Sequence, residues 1–271
     1  MKLAVICLCL TGCELVFPLD EPQVCPLPAM PACGSADPDE DEDAVRDDCD
    51  PCPQVFGSDA DRDGDGIGDL CDPEPDTFAR CQSRRFFGMN GAVGWDDTTS
   101  WSFDKSAFLE DPDASLDTIV VLRSSAVFET GRIDGLIEDG ANPGRDNELA
   151  GFATMLDGDI GYFCGFAGPA TNTTGRVLLA RLAPNGEQVL ATGAMDLGVT
   201  PGQSHRVQFT VTASGTLGCA VQSVAPDTDP ASFDPDEELV FQDPTPLPSG
   251  AVGLVLRSSS ASFEYLDFVP D

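Results

Sequence analysis

Basic side chains are scarce in this sequence. Only 14 lysines and arginines stand against 47 aspartates and glutamates, which gives a formal net charge of −33, and there is a single histidine. Nucleic acids and anionic membrane surfaces are bound through patches of lysine and arginine, so neither is an expected partner. A surplus of carboxylates instead suits cations and keeps a protein in solution.

The sequence also has no apolar run that could cross a bilayer as a helix, which takes about 20 residues. Residues 3–10 form an apolar run of eight residues after a single lysine, which is typical of an export signal. The run ends in Leu-Thr-Gly-Cys at residues 10–13, which resembles the lipobox of bacterial lipoproteins. The resemblance implies a signal peptide at residues 1–12, acylation of Cys13 and a lipid-anchored place at the outer membrane or cell surface. An ordinary secretory signal is the alternative.

Cysteine is abundant, and its count favours disulfides. Of the eleven cysteines, eight lie beyond residue 13, and an even number fits disulfides formed in an oxidising compartment. Cys49 and Cys52 have the spacing of a metal-binding pair. With one histidine and no second pair of this spacing, zinc is disfavoured.

Acidic residues are concentrated near the N-terminus. Between residues 13 and 76 there are 20 aspartates and glutamates against Arg46 and Arg62. Residues 13–36, rich in proline and alanine, predict a flexible tether. Residues 37–76 are too acidic to collapse unless a cation neutralises them, so they are interpreted as a metal-ordered segment, with a solvated linker as the alternative.

Two blocks of this segment align at an offset of 22 residues, with aspartate at positions 1, 3, 5, 9 and 12 of twelve and cysteine at position 11. Calcium takes six to eight oxygen ligands, so alternating carboxylates and the backbone carbonyl of position 7 suit it. In the first block Ala44 and Arg46 stand where the second block has glycine, so we expect its site to be the weaker one. The predicted ligands of the second block are Asp61, Asp63, Asp65, Ile67, Asp69 and Asp72. Those of the first block are Asp39, Asp41, Asp43, Val45, Asp47 and Asp50.

The second block resembles the thrombospondin type 3 repeat, whose signature is similar to DxDxDGxGDxCD. Residues 49–53, Cys-Asp-Pro-Cys-Pro, match the junction between such repeats, and the resemblance covers about residues 33–72. In that family, calcium and disulfides take the place of a hydrophobic core. The resemblance implies a disulfide between Cys52 and Cys71, and a partner for Cys49 in Cys33 or Cys25.

From residue 84 onward the sequence alternates between apolar and polar residues. Val207, Phe209 and Val211, for example, share one face of a strand. Short segments of this kind between Gly/Pro turns, without a helical period, predict an all-β, two-sheet antiparallel sandwich over residues 84–271, after a linker at 77–83. The other predicted strands are 118–123, 126–133, 151–156, 160–166, 176–182, 188–192, 216–222, 251–257 and 262–269.

Five segments of this region are similar, in order and spacing, to the concanavalin A-like lectin/glucanase superfamily in its laminin G-like, jelly-roll form. They are residues 101–103, 128–133, 200–207, 248–254 and 261–268. The resemblance implies a jelly roll that binds a sugar or a protein in many relatives and hydrolyses glycans in some.

Catalytic patterns are weak. Glucanase relatives carry the triplet ExDxxE on one strand, which sets the spacing of acid and nucleophile. The nearest group here, Asp134, Glu138 and Asp139, has a different spacing. His205 is the only residue through which a Ser-His-Asp triad could form. We therefore expect no catalytic residue, and a calcium-binding surface lipoprotein that displays a carbohydrate- or protein-binding domain. A hydrolase of the keto-disaccharide hydrolase type, or a structural envelope protein, is the alternative.

Two pairs of residues carry predictions about the core. Cys164 and Cys219 share strand parity with apolar neighbours, so they are predicted to form a disulfide inside the sandwich, with buried free thiols as the alternative. Trp95 and Trp101 are expected to fill the core rather than to stack on a sugar ring.

Overall fold

The computed structural model describes, in the acidic segment, residues 39, 43–46, 50–52, 57, 60–62 and 68. In the sandwich it describes residues 85–109 except 90, 91, 93, 104 and 105, and then 118–139, 148–168, 175–194, 202–224 and 233–270. All regular elements in these ranges are β-strands, which confirms the all-β prediction. None of the described residues form a helix long and apolar enough to cross a membrane.

Eight antiparallel strands form sheet A. Its order is β13-β12-β11-β6-β15-β4-β3, and β1 pairs with β15 beside β4. The strands are β1 (Arg85–Gly88), β3 (Trp101–Phe103), β4 (Ala107–Leu109), β6 (Gly131–Glu138), β11 (Ser204–Val211), β12 (Thr216–Val224), β13 (Glu237–Gln242) and β15 (Ser262–Pro270).

Seven antiparallel strands form sheet B, in the order β10-β9-β8-β7-β14-β5-β2. The chain passes repeatedly between the two sheets, so that β14 and β15, adjacent in sequence, lie in different sheets. This is the predicted jelly-roll sandwich. The strands are β2 (Trp95–Asp96), β5 (Val120–Ser124), β7 (Leu149–Asp157), β8 (Ile160–Ala167), β9 (Arg176–Ala183), β10 (Gly186–Ala194) and β14 (Ala251–Arg257).

One predicted strand needs correction, and several observed strands were not predicted. The strand expected at 126–133 begins only at Gly131, because the preceding residues make a single isolated bridge between Phe128 and Gly250. The short strands β1 to β4 were not predicted, and neither was β13. As an edge strand, with Glu238 and Val240 exposed, it lacks the run of apolar residues by which the central strands were recognised.

The core between the sheets is built from the inward-facing residues of both. Its largest fully buried side chains include Phe152, Phe166, Phe209 and Phe263. Gly135 in the middle of β6 permits this packing, because a Cβ there would lie 2.3 Å from the ring of Phe152. Full burial of each such side chain contributes about 1.5–3 kcal/mol.

A disulfide crosses this core. Cys164 of β8 and Cys219 of β12 are fully buried, their Cα atoms are 5.5 Å apart, and their sulfur atoms are bonded. The predicted disulfide within the sandwich is therefore confirmed, and it links sheet B to sheet A.

Tyr162 and Asp243 fix the segment that connects β13 to β14. The Tyr162 hydroxyl donates to Asp243 Oδ2 over 2.5 Å and accepts a hydrogen bond of 2.9 Å from the Leu247 amide. The Thr245 amide donates to Asp243 Oδ1 over 2.8 Å. Burial, and then the hydrogen bond to Asp243, raise the pKa of Tyr162 to about 12.

The outer faces of the two sheets differ in chemistry. On sheet B the outward positions form a second buried apolar cluster that includes Phe163, Leu178 and Val255. On sheet A the outward positions of β6 and β11 include Asp134, Glu138 and several polar partners. Because polar ligands need hydrogen-bonding groups, the outer face of sheet A is the candidate surface for a polar ligand.

Candidate functional site

The outer surface of β6, β11, β12 and β15 is here called the polar face. Antiparallel pairing aligns its residues in rows across the strands. Asp134 of β6 lies opposite Gln208 of β11 and Asp267 of β15. In the next row, Arg206 of β11 lies opposite Gln222 of β12.

Asp134 is the hub of this face. It accepts hydrogen bonds from Arg206 Nε (2.8 Å, on Oδ1), Arg206 Nη2 (2.7 Å, on Oδ2) and Gln208 Nε2 (2.9 Å, on Oδ2). Burial opposes the charge of the guanidinium, but the hydrogen bonds and the charge of Asp134 outweigh it, and the pKa of Arg206 is raised. A two-point arginine–carboxylate contact fixes orientation as well as charge, so this hub is rigid before any ligand arrives.

An aromatic ring and an amide border the hub. The Arg206 guanidinium carbon lies 5.4 Å from the centre of the Phe233 ring, a cation–π distance. Gln222 is only 7% exposed, and its Oε1 accepts no hydrogen bond in the part of the chain that the structure describes. A buried acceptor without a donor costs about 1–3 kcal/mol, so a donor supplied to this amide would be stabilising.

Two carboxylates complete the polar face. A bulge in β15 between Phe263 and Tyr265 leaves Glu264 without a partner in the register with β6. Burial raises the pKa of Glu264, and the neighbouring charge of Glu138 raises it further. Glu264 lies two residues beyond Ser262, which pairs with Glu138 on the adjacent strand.

The three carboxylates that came closest to a catalytic triplet do not form one. Asp134 and Glu138 point outward from β6, and Asp134 is occupied by Arg206 and Gln208. Asp139 turns inward, where its Oδ2 lies 3.0 Å from His205 Nε2.

His205 does have a serine and an aspartate as neighbours, Ser223 Oγ at 3.3 Å from Nδ1 and Asp139 on Nε2. In a serine-nucleophile triad the serine lies on Nε2 and the carboxylate on Nδ1, the reverse of this arrangement. The imidazole is also fully buried against the Phe166 ring, with centroids 4.8 Å apart. A base in that position is not accessible to a substrate. We therefore interpret His205 as a structural residue of the core whose two ring nitrogens are hydrogen-bonded to Asp139 and Ser223.

Both tryptophans lie in the core. Trp95 is 7% and Trp101 5% exposed, and their rings pack on Phe87 and Phe263 respectively. The prediction that they fill the core is confirmed.

In the first acidic block the described carboxylates cap backbone turns. Asp39 accepts a hydrogen bond from the Ala44 amide (3.0 Å), and Asp43 accepts two, from Val45 (2.7 Å) and Gly57 (3.0 Å). Ala44, at the glycine position of the pattern, has a φ of 76°, which costs energy for a residue with a side chain. Carboxylate oxygens of this kind are chemically suited to calcium, but amide donors already occupy several of them. Asp50 caps Cys52 in the same way (2.7 Å).

Most of the other predicted ligands lie outside the described residues. Asp61 is described and partly buried. Asp41, Asp47, Asp63, Asp65, Ile67, Asp69 and Asp72 are not described, so the calcium sites remain predictions. Cys13 and Cys71 also lie outside the described residues. Cys52 is buried and disulfide-bonded.

The sequence reasoning did not identify Arg206, Gln208, Gln222 or Glu264. The alternation of β11 and β12 does place the first three on an outer face, since each stands next to an inward-facing apolar residue, Val207, Phe209 or Val221. Their convergence on Asp134 and the bulge at Glu264 depend on strand pairing, for which the sequence carries no local signal.

No protein family model matches the chain, and no curated protein matches it. Solved structures with a similar arrangement include a carbohydrate-binding module from Bacillus subtilis (13% identity, 65% of this chain and 95% of that chain, TM-score 0.47). A β-glucanase of Bacillus licheniformis is also similar (13% identity, 71% and 100% covered, TM-score 0.45). So is a prokaryotic β-1,3-1,4-glucanase from a mouse hindgut metagenome (13% identity, 69% and 99% covered, TM-score 0.44). Likenesses at this level carry no information on ligand or reaction.

Proposed function

We propose that the sandwich is a non-catalytic glycan-binding domain whose ligand lies on the polar face. The observation that carries this proposal is Gln222, an amide that is 7% exposed and whose Oε1 has no donor among the described residues, opposite an arginine already fixed by Asp134. A ligand hydroxyl that donates to Gln222 would recover the cost of the unsatisfied oxygen.

A glycan suits this surface better than an apolar ligand. Sugars present closely spaced hydroxyl groups that donate and accept hydrogen bonds, and the hub offers fixed groups of both kinds. Because Arg206, Gln208 and Asp134 already hold one another, little side-chain entropy is lost when a ligand binds. The Phe233 ring beside Arg206 adds an apolar surface of the kind that ligand sites combine with a few polar groups.

In this proposal, the rest of the chain displays the sandwich at the cell surface. Cys13 carries a lipid anchor at the cell surface, and the acidic segment, with calcium at Asp61–Asp72, acts as a stiffened spacer between anchor and sandwich. Calcium would replace carboxylate repulsion by coordination, so that binding and ordering of the spacer are linked.

A second candidate function, glycan hydrolysis, is favoured by one observation. Glu138 and Glu264 form a pair of neighbouring carboxyl groups, one with a raised pKa. An acid and a nucleophile or base in a glycosidase need such unequal carboxyl groups.

The test is a glycan array on the purified full chain, with Gln222→Ala compared with Gln188→Ala. Gln188 is exposed on sheet B and provides the same chemical change away from the polar face. We expect Gln222→Ala to weaken binding about tenfold, since one hydrogen bond in a buried site contributes about 1.4 kcal/mol. Gln188→Ala should bind like the wild type. Unchanged binding by Gln222→Ala would contradict the proposal.

Two further measurements test whether binding to the sandwich needs a metal and whether the glycan is hydrolysed. Chelation with EDTA should leave glycan binding to the sandwich unchanged, since no group of metal ligands is found among the described residues. Incubation of the bound glycan followed by chromatography should release no shorter sugar. A shorter sugar that is released by the wild type but not by Glu264→Gln would establish glycan hydrolysis instead.

A further inference from the structure

We infer that the glycan bound at the polar face carries a protonated amine, as an amino sugar without its acetyl group does, and that Glu138 and Glu264 hold this amine. The inference rests on the proposed function and names the class of its ligand.

The first step is the position of the two carboxylates. Glu138 ends β6 on the outer face, opposite Ser262 of β15. Glu264 lies at the bulge of this adjacent strand, two residues beyond Ser262 and one residue before Tyr265. Both side chains are partly buried, so water screens their repulsion less than it would on an open surface.

The second step is that this negative charge is not neutralised within the described part of the molecule. Neither Glu138 nor Glu264 forms an ion pair with a described residue. Arg206, a cation on the same face, donates two hydrogen bonds to Asp134. Like charges on adjacent strands, without a counter-charge among the described residues, raise the energy of the unliganded protein, and a cationic ligand would lower it.

The third step is the kind of hydrogen bond that the site lacks. Gln222 Oε1 is buried and has no donor among the described residues, and the carboxylates of Glu138 and Glu264 can only accept when ionised. All three groups are acceptors. A ligand rich in donors is therefore favoured, and an ammonium group offers three donors together with the positive charge.

The fourth step excludes a bare metal ion as the common ligand. Gln222 on β12 and Glu138 on β6 are separated by β11, and two strand intervals amount to about 10 Å. One ion cannot bridge that distance, and no cluster of metal ligands occurs among the described residues. A molecule longer than one sugar ring can reach both places.

The experiment compares a hexamer of β-1,4-linked glucosamine with the fully N-acetylated hexamer by titration calorimetry on the full chain. We expect the glucosamine hexamer to bind at least about tenfold more tightly at low salt, which is the contribution of one charge-assisted hydrogen bond. Glu138→Gln and Glu264→Gln should each remove this preference, so that the two hexamers bind with equal affinity. The matched control is Glu238→Gln, an exposed glutamate on the edge strand of the same sheet, which should change nothing.

Three results would overturn the inference. Equal or tighter binding of the acetylated hexamer would do so while the proposed function stands, provided that Gln222→Ala still weakens it. A lysine-rich peptide that binds more tightly than either hexamer would assign the carboxylates to a protein partner. If neither hexamer nor any other glycan binds, the proposed function fails together with the inference.

Discussion

Replacing Cys164 and Cys219 together by alanine removes the covalent link between the two sheets. Both cysteines are fully buried, and their bond joins β8 to β12 across the core. Each alanine also fits the space that its cysteine leaves. We therefore expect the variant to keep the fold and to lose free energy of unfolding.

The size of the loss follows from the loop that the bond closes. The two cysteines are 55 residues apart in sequence. In the chain-entropy description, a cross-link over a loop of that length restricts the unfolded chain enough to stabilise the native state by about 4 kcal/mol at 25 °C. The free energy of unfolding of native domains is about 5–15 kcal/mol, so the expected loss is a large fraction of the stability.

The two tryptophans provide the assay. Trp95 and Trp101 are the only ones in the sequence and both are in the core, so their fluorescence follows the sandwich and not the acidic segment. Guanidinium titrations would compare the oxidised wild type, the wild type reduced with dithiothreitol, and the double alanine variant. The last two should agree within about 1 kcal/mol, the cost of the sulfur atoms lost from the core.

Equal free energies for the oxidised and reduced wild type would refute the loop-closure reasoning. A loss in the double alanine variant alone would assign the effect to packing instead.

Three further predictions concern other parts of the chain. Tyr162→Phe should cost about 2 kcal/mol at neutral pH. Because the pKa of Tyr162 is raised to about 12, its contribution is complete below pH 10 and is lost as the pH rises through 12, so thermal unfolding curves of wild type and variant should converge there. Asp65→Ala should abolish the main calcium heat in calorimetry of the full chain, whereas Asp43→Ala should change it little; equal losses would contradict the ranking of the two sites. Cys13→Ser should lose palmitate labelling in a bacterial host and move from the detergent to the aqueous phase; an unlabelled wild type would contradict the anchor.

The central strands were predictable because both sheets bury one face against the other. Residues 205–212 alternate strictly, and the structure places His205, Val207, Phe209 and Val211 inward in β11. The same alternation assigns Arg206 to the outer face. Its partner Asp134 is 72 residues away in sequence, and their contact depends on the pairing of β11 with β6.

Local irregularities were beyond prediction for a physical reason. The bulge at Glu264 inserts one residue into β15, and a run such as Ser-Phe-Glu-Tyr-Leu gives no sign of it, since a regular strand accommodates the same residues. The late start of β6 at Gly131 similarly reflects the partners available to residues 126–130, because a segment of β-forming residues becomes a strand only where a neighbour completes its hydrogen bonds.

The Asp134–Arg206 pair allows stability and binding to be separated. Their side chains are only 7% and 13% exposed, and taking two charges out of water costs about as much as their attraction returns. Replacing both by apolar residues of similar volume, Asp134→Leu with Arg206→Met, should leave the free energy of unfolding unchanged or raise it by about 1–4 kcal/mol. Asp134→Leu alone should lower the free energy of unfolding by about 3–5 kcal/mol, because it removes the carboxylate that pairs with the buried guanidinium. If the hub exists for binding, the double variant will be a well-folded protein that no longer binds glycan. A double variant that binds normally would show that the pair is not part of the ligand site, and one that unfolds would show that the pair holds the sheet together.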